Sequence, residues 1–259
     1  MASRRRFSKA LVLLGVFGLQ AQAEEAAPVP ECPASPSTGA TAAHPAPNNV
    51  RLVTGAPYSA LGTSETVTTL PDGNRIVRQN TIRLWRDSDG RTRSEFSLSS
   101  IGGPRPVELN TTVTVIDDPA ARERYLLQPA GKVAVTMPIV PCRVNAGLEP
   151  DLSVGPPRPP GLALNVSRPV KLGERKVDGE TAAGSRVEAT IPAGAIGNEQ
   201  PIKMSAEQWY GKDLQVVVEA TYRDPRTGET RYKLSDIHRD EPDAKLFRVP
   251  DNYTRRPPR

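Results

Sequence analysis

Proline and glycine interrupt this chain too often for a long helix to run through it. The sequence holds 27 prolines and 20 glycines in 259 residues. Inside a helix a proline costs about 3 kcal/mol and a glycine about 1 kcal/mol relative to alanine. The stretches between these breaks are short, and where they are patterned they alternate. Leu214, Val216, Val218, Ala220 and Tyr222 fall on one side of a period of two. That pattern, rich in β-branched residues, predicts a half-buried strand. Asp224-Pro225-Arg226-Thr227-Gly228 then reads as a turn, and residues 230–234 return as the second arm of a hairpin.

The same plan repeats along the chain. Residues 63–70 lead into Pro71-Asp72-Gly73-Asn74, and 75–85 follow as a strand. Asp87-Ser88-Asp89-Gly90 turns the chain into 91–98. Residues 111–116 and 124–127 pair around Asp117-Asp118-Pro119, and 172–177, 184–191 and 202–210 add further strands. About ten strands at spacings of roughly 8–12 residues predict a mostly β protein. Residues 54–61 allow a short helix and 120–124 a helical turn, neither long enough to stand alone. Arg75, Gln79, Thr81 and Arg83 put polar groups on a second face, so the sheet is expected to be wet on one side and apolar on the other. With 37% hydrophobic and 5% aromatic residues, the core is modest. The expected fold is one large, curved antiparallel sheet, half-barrel-like, with at most one or two short helices.

The segments outside the strands set the domain limits. Arg4, Arg5, Arg6 and Lys9 precede the apolar run 10–18, and Ala21-Gln22-Ala23 supplies a small-x-small cleavage pattern. Residues 1–23 thus have the three-part plan of an export signal, too short in its apolar run to anchor the cleaved protein in a bilayer. Ser3-Arg4-Arg5-Arg6-Phe7-Ser8-Lys9 also fits a twin-arginine signal, so two export routes stay open. Residues 24–49, rich in Ala and Pro, read as a disordered tether. A single β domain is expected over 50–253, carrying a Pro-rich loop at 144–169, with 254–259 as a frayed tail. The expected location is the periplasm or the extracellular space.

Charge excludes one class of partner. The whole chain carries a formal +5, but residues 1–23 hold four of its 34 basic residues and no acid, which leaves 30 against 29. Basic and acidic residues alternate, as in Arg122-Glu123-Arg124, without the basic, aromatic-interleaved patch that nucleic acid needs.

Catalytic and metal signatures are weak. His44 sits in the tether and His238 between Asp236 and Asp240, and two His with two Cys make no zinc cluster. Asp87-Ser88-Asp89-Gly90 resembles a calcium-loop fragment, but the twelfth position is Leu98, where Glu is required. Carboxylate pairs such as Glu207 with Asp213 and Asp224 with Glu229 read as solvent-facing turn residues. No cofactor is expected. Cys32 and Cys142 form an even pair in an exported chain, with a bridge and two free thiols both open.

Two resemblances rest on particular residues. Ile191-Pro192-Ala193-Gly194-Ala195-Ile196-Gly197-Asn198-Glu199, Glu207-Gln208-Trp209-Tyr210 and Leu246-Phe247-Arg248-Val249-Pro250 resemble a family of uncharacterised secreted bacterial proteins. So do the strips 70–77 and 86–93. That resemblance transfers no catalytic residue. More distantly, the layout from Trp209 through the hairpin to Leu246-Phe247 and Tyr253 is similar to the lipoprotein-carrier and sigma-regulator superfamily of the cell envelope. It implies a half-barrel whose concave apolar face holds acyl chains or a partner.

Together these readings point to an exported, non-enzymatic envelope protein. It is expected to bind an apolar ligand or a protein partner on the concave face, near Trp209, Tyr210, Leu214, Val216, Val218 and Tyr222. The alternative is a periplasmic sensor or assembly module acting through the Pro-rich loop. A carboxylate-based hydrolase ranks last.

Overall fold

The computed structural model describes residue 30 and residues 49–97, 112–143 and 164–258. The signal, nearly all of the tether with Cys32, and most of the Pro-rich loop lie outside the described residues. Two β-meanders make up the body. The first comprises β2 (Tyr58–Thr69), β3 (Arg75–Arg86), β4 (Thr92–Ser97), β5 (Thr112–Asp118), β6 (Glu123–Gln128) and β7 (Val133–Pro138). The second comprises β10 (Val170–Val177), β11 (Glu180–Ile191), β12 (Ile202–Gly211), β13 (Val216–Asp224) and β14 (Gly228–His238).

Antiparallel pairing of β14 with β2, including Leu234 opposite Gly62, fuses the meanders into one sheet. A short β9 (Asn165–Val166) pairs with β11, and β15 (Thr254–Arg256) runs parallel to β7. The strand order is β10-β11-β12-β13-β14-β2-β3-β4-β5-β6-β7-β15, with β9 beside β11, and this curved sheet of 13 strands does not close. Beside it, β1 (Asn49–Arg51) pairs in parallel with β8 (Val140–Cys142).

The turns follow from the sequence. At the β13–β14 hairpin Gly228 has φ +99°, and a Cβ there would lie 2.0 Å from the Val67 carbonyl oxygen. Only glycine meets both the left-handed backbone and that approach. Asp224 caps the same turn by accepting from the Arg226 backbone N–H at 2.9 Å.

Three local expectations are corrected. Residues 54–61 do not form a helix, because Tyr58, Ala60 and Gly62 alternate into the sheet opposite Arg86, Leu84 and Ile82. Cross-strand burial at period two outweighs the weak helical preference of so short a segment. Residues 119–122 turn without a helix, and Arg122 takes φ +55°. Residues 254–256 are not frayed, since Thr254, Arg255 and Arg256 pair with Val133, Ala134 and Val135. Among the described residues no α-helix occurs; the helical content is two 3-10 turns, Pro129–Gly131 and Ala244–Phe247.

Residues paired across a ladder share a face. One face is apolar across both meanders. One row runs Leu234, Gly62, Ile82, Phe96, Val113; the next runs Ala60, Leu84, Ser94, Val115, Leu126, Val135. Farther along, Val187, Ala206 and Tyr222 pair on the same side and pack together.

The opposite face differs between the halves. On the second meander it is an ion-pair lattice, with Arg186 to Glu207 at 2.7 Å, Arg175 to Glu219 at 2.6 Å and Arg223 to Glu229 at 2.7 Å. On β5–β7 of the first meander it is apolar too. There Ile116, Tyr125, Leu127 and Ala134 lie against Phe247 and Val249. The chain after β14 crosses this surface on its way to β15, with Arg93 donating to the Leu246 carbonyl at 2.8 Å. The expected division into one wet and one apolar side therefore holds on the second meander and at β2–β3, where Arg75, Gln79, Thr81 and Arg83 are exposed, and fails at β5–β7.

Candidate functional site

The apolar face carries two grades of burial. Toward β11–β14 its residues are shut in: Val187, Ala189, Ile191, Met204, Ala206, Val218, Tyr222 and Leu234 are all buried. Toward β3–β7 the same face is only half-buried at Ile82, Leu84, Phe96, Val113, Val115, Leu126, Val135 and Met137. A strand buried on both faces belongs to a core, whereas a half-covered apolar face can take a further apolar body. The β5–β7 strands are backed on their other side by the Phe247 cluster, which reaches β3 at Trp85. A rigid support with an incompletely covered apolar row is the geometry of a binding surface.

This row ends at a polar group. Arg86, at the end of β3, lies next along that face from Leu84 and pairs with Tyr58. Its Nε and Nη2 donate to the Ala56 carbonyl at 2.9 and 2.7 Å, and Nη2 also donates to the Leu214 carbonyl. The guanidinium lies 4.8 Å from the Tyr58 ring centroid. Burial pulls the Arg86 guanidinium below its ordinary pKa, and the charge of Arg51 adds to that, against the opposing effect of the Tyr58 and Tyr210 phenols. Burial pushes the Tyr58 phenol up and also raises Tyr232, to which Tyr58 contributes.

Of the residues singled out from the sequence, Trp209, Leu214 and Val218 share one buried cluster with Val216 at its rim, and Tyr222 lies in another. Trp209 pairs with Glu219 and with Gly184, and so lies on the face opposite Ala206 and Tyr222. There its indole N–H donates to Glu207 Oε1 at 3.1 Å and the Arg175 guanidinium stands 3.9 Å from its ring centroid. Leu214, in the turn before β13, and Val218 are buried in a cluster that also holds Trp209, Tyr58, Ala60 and Leu234, and Val216 packs on its rim. Tyr222 is buried beside Val187 and Ala206. Tyr210 is half-buried, and its hydroxyl accepts a hydrogen bond from Arg51. A register shift between Trp209 and Tyr210 breaks the alternation that a linear reading of β12 and β13 assumes.

Sequence reasoning missed the row in β3–β7. A signal was present, in the alternation of Val113 with Val115 and of Leu84 with Ile82. It was masked because Trp85, Ile116 and Leu127 are apolar on the other side as well.

The remaining candidates are occupied structurally. Asp224 is buried against Arg226 at 2.6 Å, Glu229 pairs with Arg223, and His238 lies 3.0 Å from Asp236 in an exposed position. Glu207 feels burial, which raises its pKa, but hydrogen bonds from Arg186 and Trp209 outweigh it and hold the carboxyl below its ordinary value. A groove of about 940 Å³ opens on the polar face, and its lining includes Glu65, Arg75, Glu188, Lys203 and Arg223. Among the described residues no group of three His, Cys, Asp or Glu could hold a metal ion, and no helix is long and apolar enough to cross a membrane. Cys142 is disulfide-bonded, and the other cysteine of the sequence is Cys32.

No protein-family model and no curated protein matches the sequence. Solved structures do match. An uncharacterised conserved protein from Thermus thermophilus is 11% identical, with 78% of this chain and 91% of that chain covered and a TM-score of 0.41. MucB of Pseudomonas aeruginosa, in complex with MucA, is 14% identical over 76% of this chain and 57% of that chain, with a TM-score of 0.36. A LolA-superfamily protein from Nitrosomonas europaea is 10% identical over 76% of this chain and 92% of that chain, with a TM-score of 0.31. The chain therefore spans little more than half of the MucB chain.

Proposed function

We propose that this chain is an exported, non-enzymatic binding protein of the cell envelope, and that it takes an apolar ligand along the β3–β7 row. The observation that carries the reading is the half-buried line Leu84, Ser94, Val115, Leu126 and Val135, apolar at every strand but β4 and backed at β5–β7 by the Phe247 cluster. Each methylene of a ligand removed from water on such a surface contributes about 0.8 kcal/mol. The paired carboxylates support the non-enzymatic part, because each is tied to an arginine and none is poised for proton transfer. Residues 1–23 support export through their three-part plan.

The test is fluorescence binding of a neutral apolar probe, Nile red, to the full chain and to Leu126→Asp and Val115→Asp. A charge in the row should weaken binding about tenfold or more, while a control charge on the polar face at Thr221 leaves it unchanged. Equal binding by all of these proteins would refute the row as the site. Melting curves on each variant show that the fold is retained.

A further inference from the structure

At the end of the apolar row two arginines stand without a carboxylate of their own, since Asp117, in the same ladder row as Arg86, is taken by Arg124. Other arginines that reach into the sheet are neutralised: the buried Arg124 by Asp117 at 2.5 Å, the half-buried Arg91 by Asp87 at 2.6 Å, and Arg226 by the buried Asp224 at 2.6 Å. Arg86 is 5% exposed, deeper than any of these, yet every acceptor it reaches is a neutral carbonyl. Its electrostatic neighbour Arg51 donates to the Tyr210 hydroxyl and lies 5.4 Å from that ring centroid. Among the described residues, neither arginine has an acidic partner.

Tyr58 faces Arg86 and Tyr210 faces Arg51, and a third phenol, Tyr232, neighbours Tyr58. Tyr58 is 7% exposed, and Tyr232 is its neighbour on the same face. Neither of these two hydroxyls has a hydrogen bond to a described residue. The Tyr210 oxygen accepts from Arg51, so its own proton is free to be donated. Two guanidinium groups and three phenol protons thus converge next to Leu84 and Ala60, where the apolar row begins. A buried charge without a counter-charge is costly, and an anion that arrives with the ligand removes much of that cost. Arginine and tyrosine are also the donors that suit a planar carboxylate or a phosphate.

We propose that Arg86, Arg51, Tyr58 and Tyr232 receive the anionic head, a carboxylate or phosphate, of an amphiphile whose chain lies along the apolar row. This rests on the reading of that row as the ligand surface. The neutral backbone acceptors hold Arg86 in place, and the head group supplies the negative charge that the protein lacks here.

The experiment compares dansyl-undecanoic acid with its methyl ester by fluorescence titration of the full chain in low salt, with inorganic phosphate as competitor. The acid should bind about tenfold tighter than the ester or better. Arg51→Gln and Tyr232→Phe should shrink that preference to about two- or threefold without changing ester affinity. Arg86→Gln should abolish it; if that variant fails to fold, the other two decide. Phosphate should compete weakly with the acid and leave the ester in place. Equal binding of acid and ester overturns the head-group proposal while leaving the apolar row standing. Failure of both probes to bind overturns the row as well. Phosphate binding as tightly as the acid would show an anion site independent of any chain, and the amphiphile would fall.

Discussion

A methyl group placed on Gly184 would meet the Trp209 indole. An ideal Cβ at Gly184 lies 2.7 Å from both Cη2 and Cζ3 of that ring and 2.9 Å from Cε3. The indole has no room to retreat, because Arg175 covers the ring at 3.9 Å and Glu207 holds its N–H. Gly184→Ala should therefore cost about 1–3 kcal/mol, the range for overpacking a filled site. Trp209→Ala should cost about 3–5 kcal/mol through lost burial and the hole it leaves. With the indole gone, the three atoms nearest the alanine methyl are removed. Alanine in a strand also loses less entropy on folding than glycine, so Gly184→Ala should then stabilise by about 0.5 kcal/mol. The two changes are thus predicted to couple by about 1.5–3.5 kcal/mol, with the double variant more stable than Trp209→Ala alone. Urea unfolding of the four proteins, followed by circular dichroism, measures the cycle. Additive effects would refute the stacking argument. A cost under about 1 kcal/mol for Trp209→Ala would show that Trp209 is not the structural cover of its face.

Three further outcomes follow from the same geometry. Burial, and then the hydrogen bond to Glu123, push Tyr125 up to about 12. Its folded pKa is above the unfolded one, so its contribution is full below about pH 10 and is lost as pH rises toward the folded value. Absorbance titration should show Tyr125 ionising late along with the buried Tyr58 and Tyr232, and Glu123→Gln should bring only the Tyr125 step lower. Glu207 has the opposite sign: its depressed carboxyl stabilises the fold above the ordinary glutamate range and loses that contribution as pH falls through the folded value. Acid unfolding should be less steep in Glu207→Gln. We propose that Cys142 pairs with Cys32. That bridge would constrain a loop of roughly 110 residues, worth about 4–5 kcal/mol in the chain-entropy model. Peptide mapping without reduction should recover the linked pair, and Cys142→Ser should lower the urea midpoint; two unlinked peptides would end the assignment.

Much of the sheet was legible from residues near one another in sequence. The arm before Pro71-Asp72-Gly73-Asn74 and the arm after it, and likewise the strands either side of Asp224–Gly228, are meander hairpins. Their partners lie within a turn of each other, so alternation and turn residues suffice to find them. The strand β7 was missed although it carries Val133, Val135 and Met137, because Ala134 and Thr136 on its other side are also covered and the alternation disappears.

The sequence alone determined the class of this protein: prolines and glycines forbid long helices, and period-two segments impose strands. Tertiary structure alone decided which faces those strands present. β14 pairs with β2 across some 165 residues of chain, and residues 239–253 fold back to cover one side of the first meander. Only those long-range contacts leave the other side as a half-covered apolar row. They also bring Arg51, Tyr58, Arg86, Tyr210 and Tyr232, from five different strands, to the end of it. The physical reason is that a strand pattern specifies which residues alternate. What each face meets depends on partners whose distance in sequence carries no local signal.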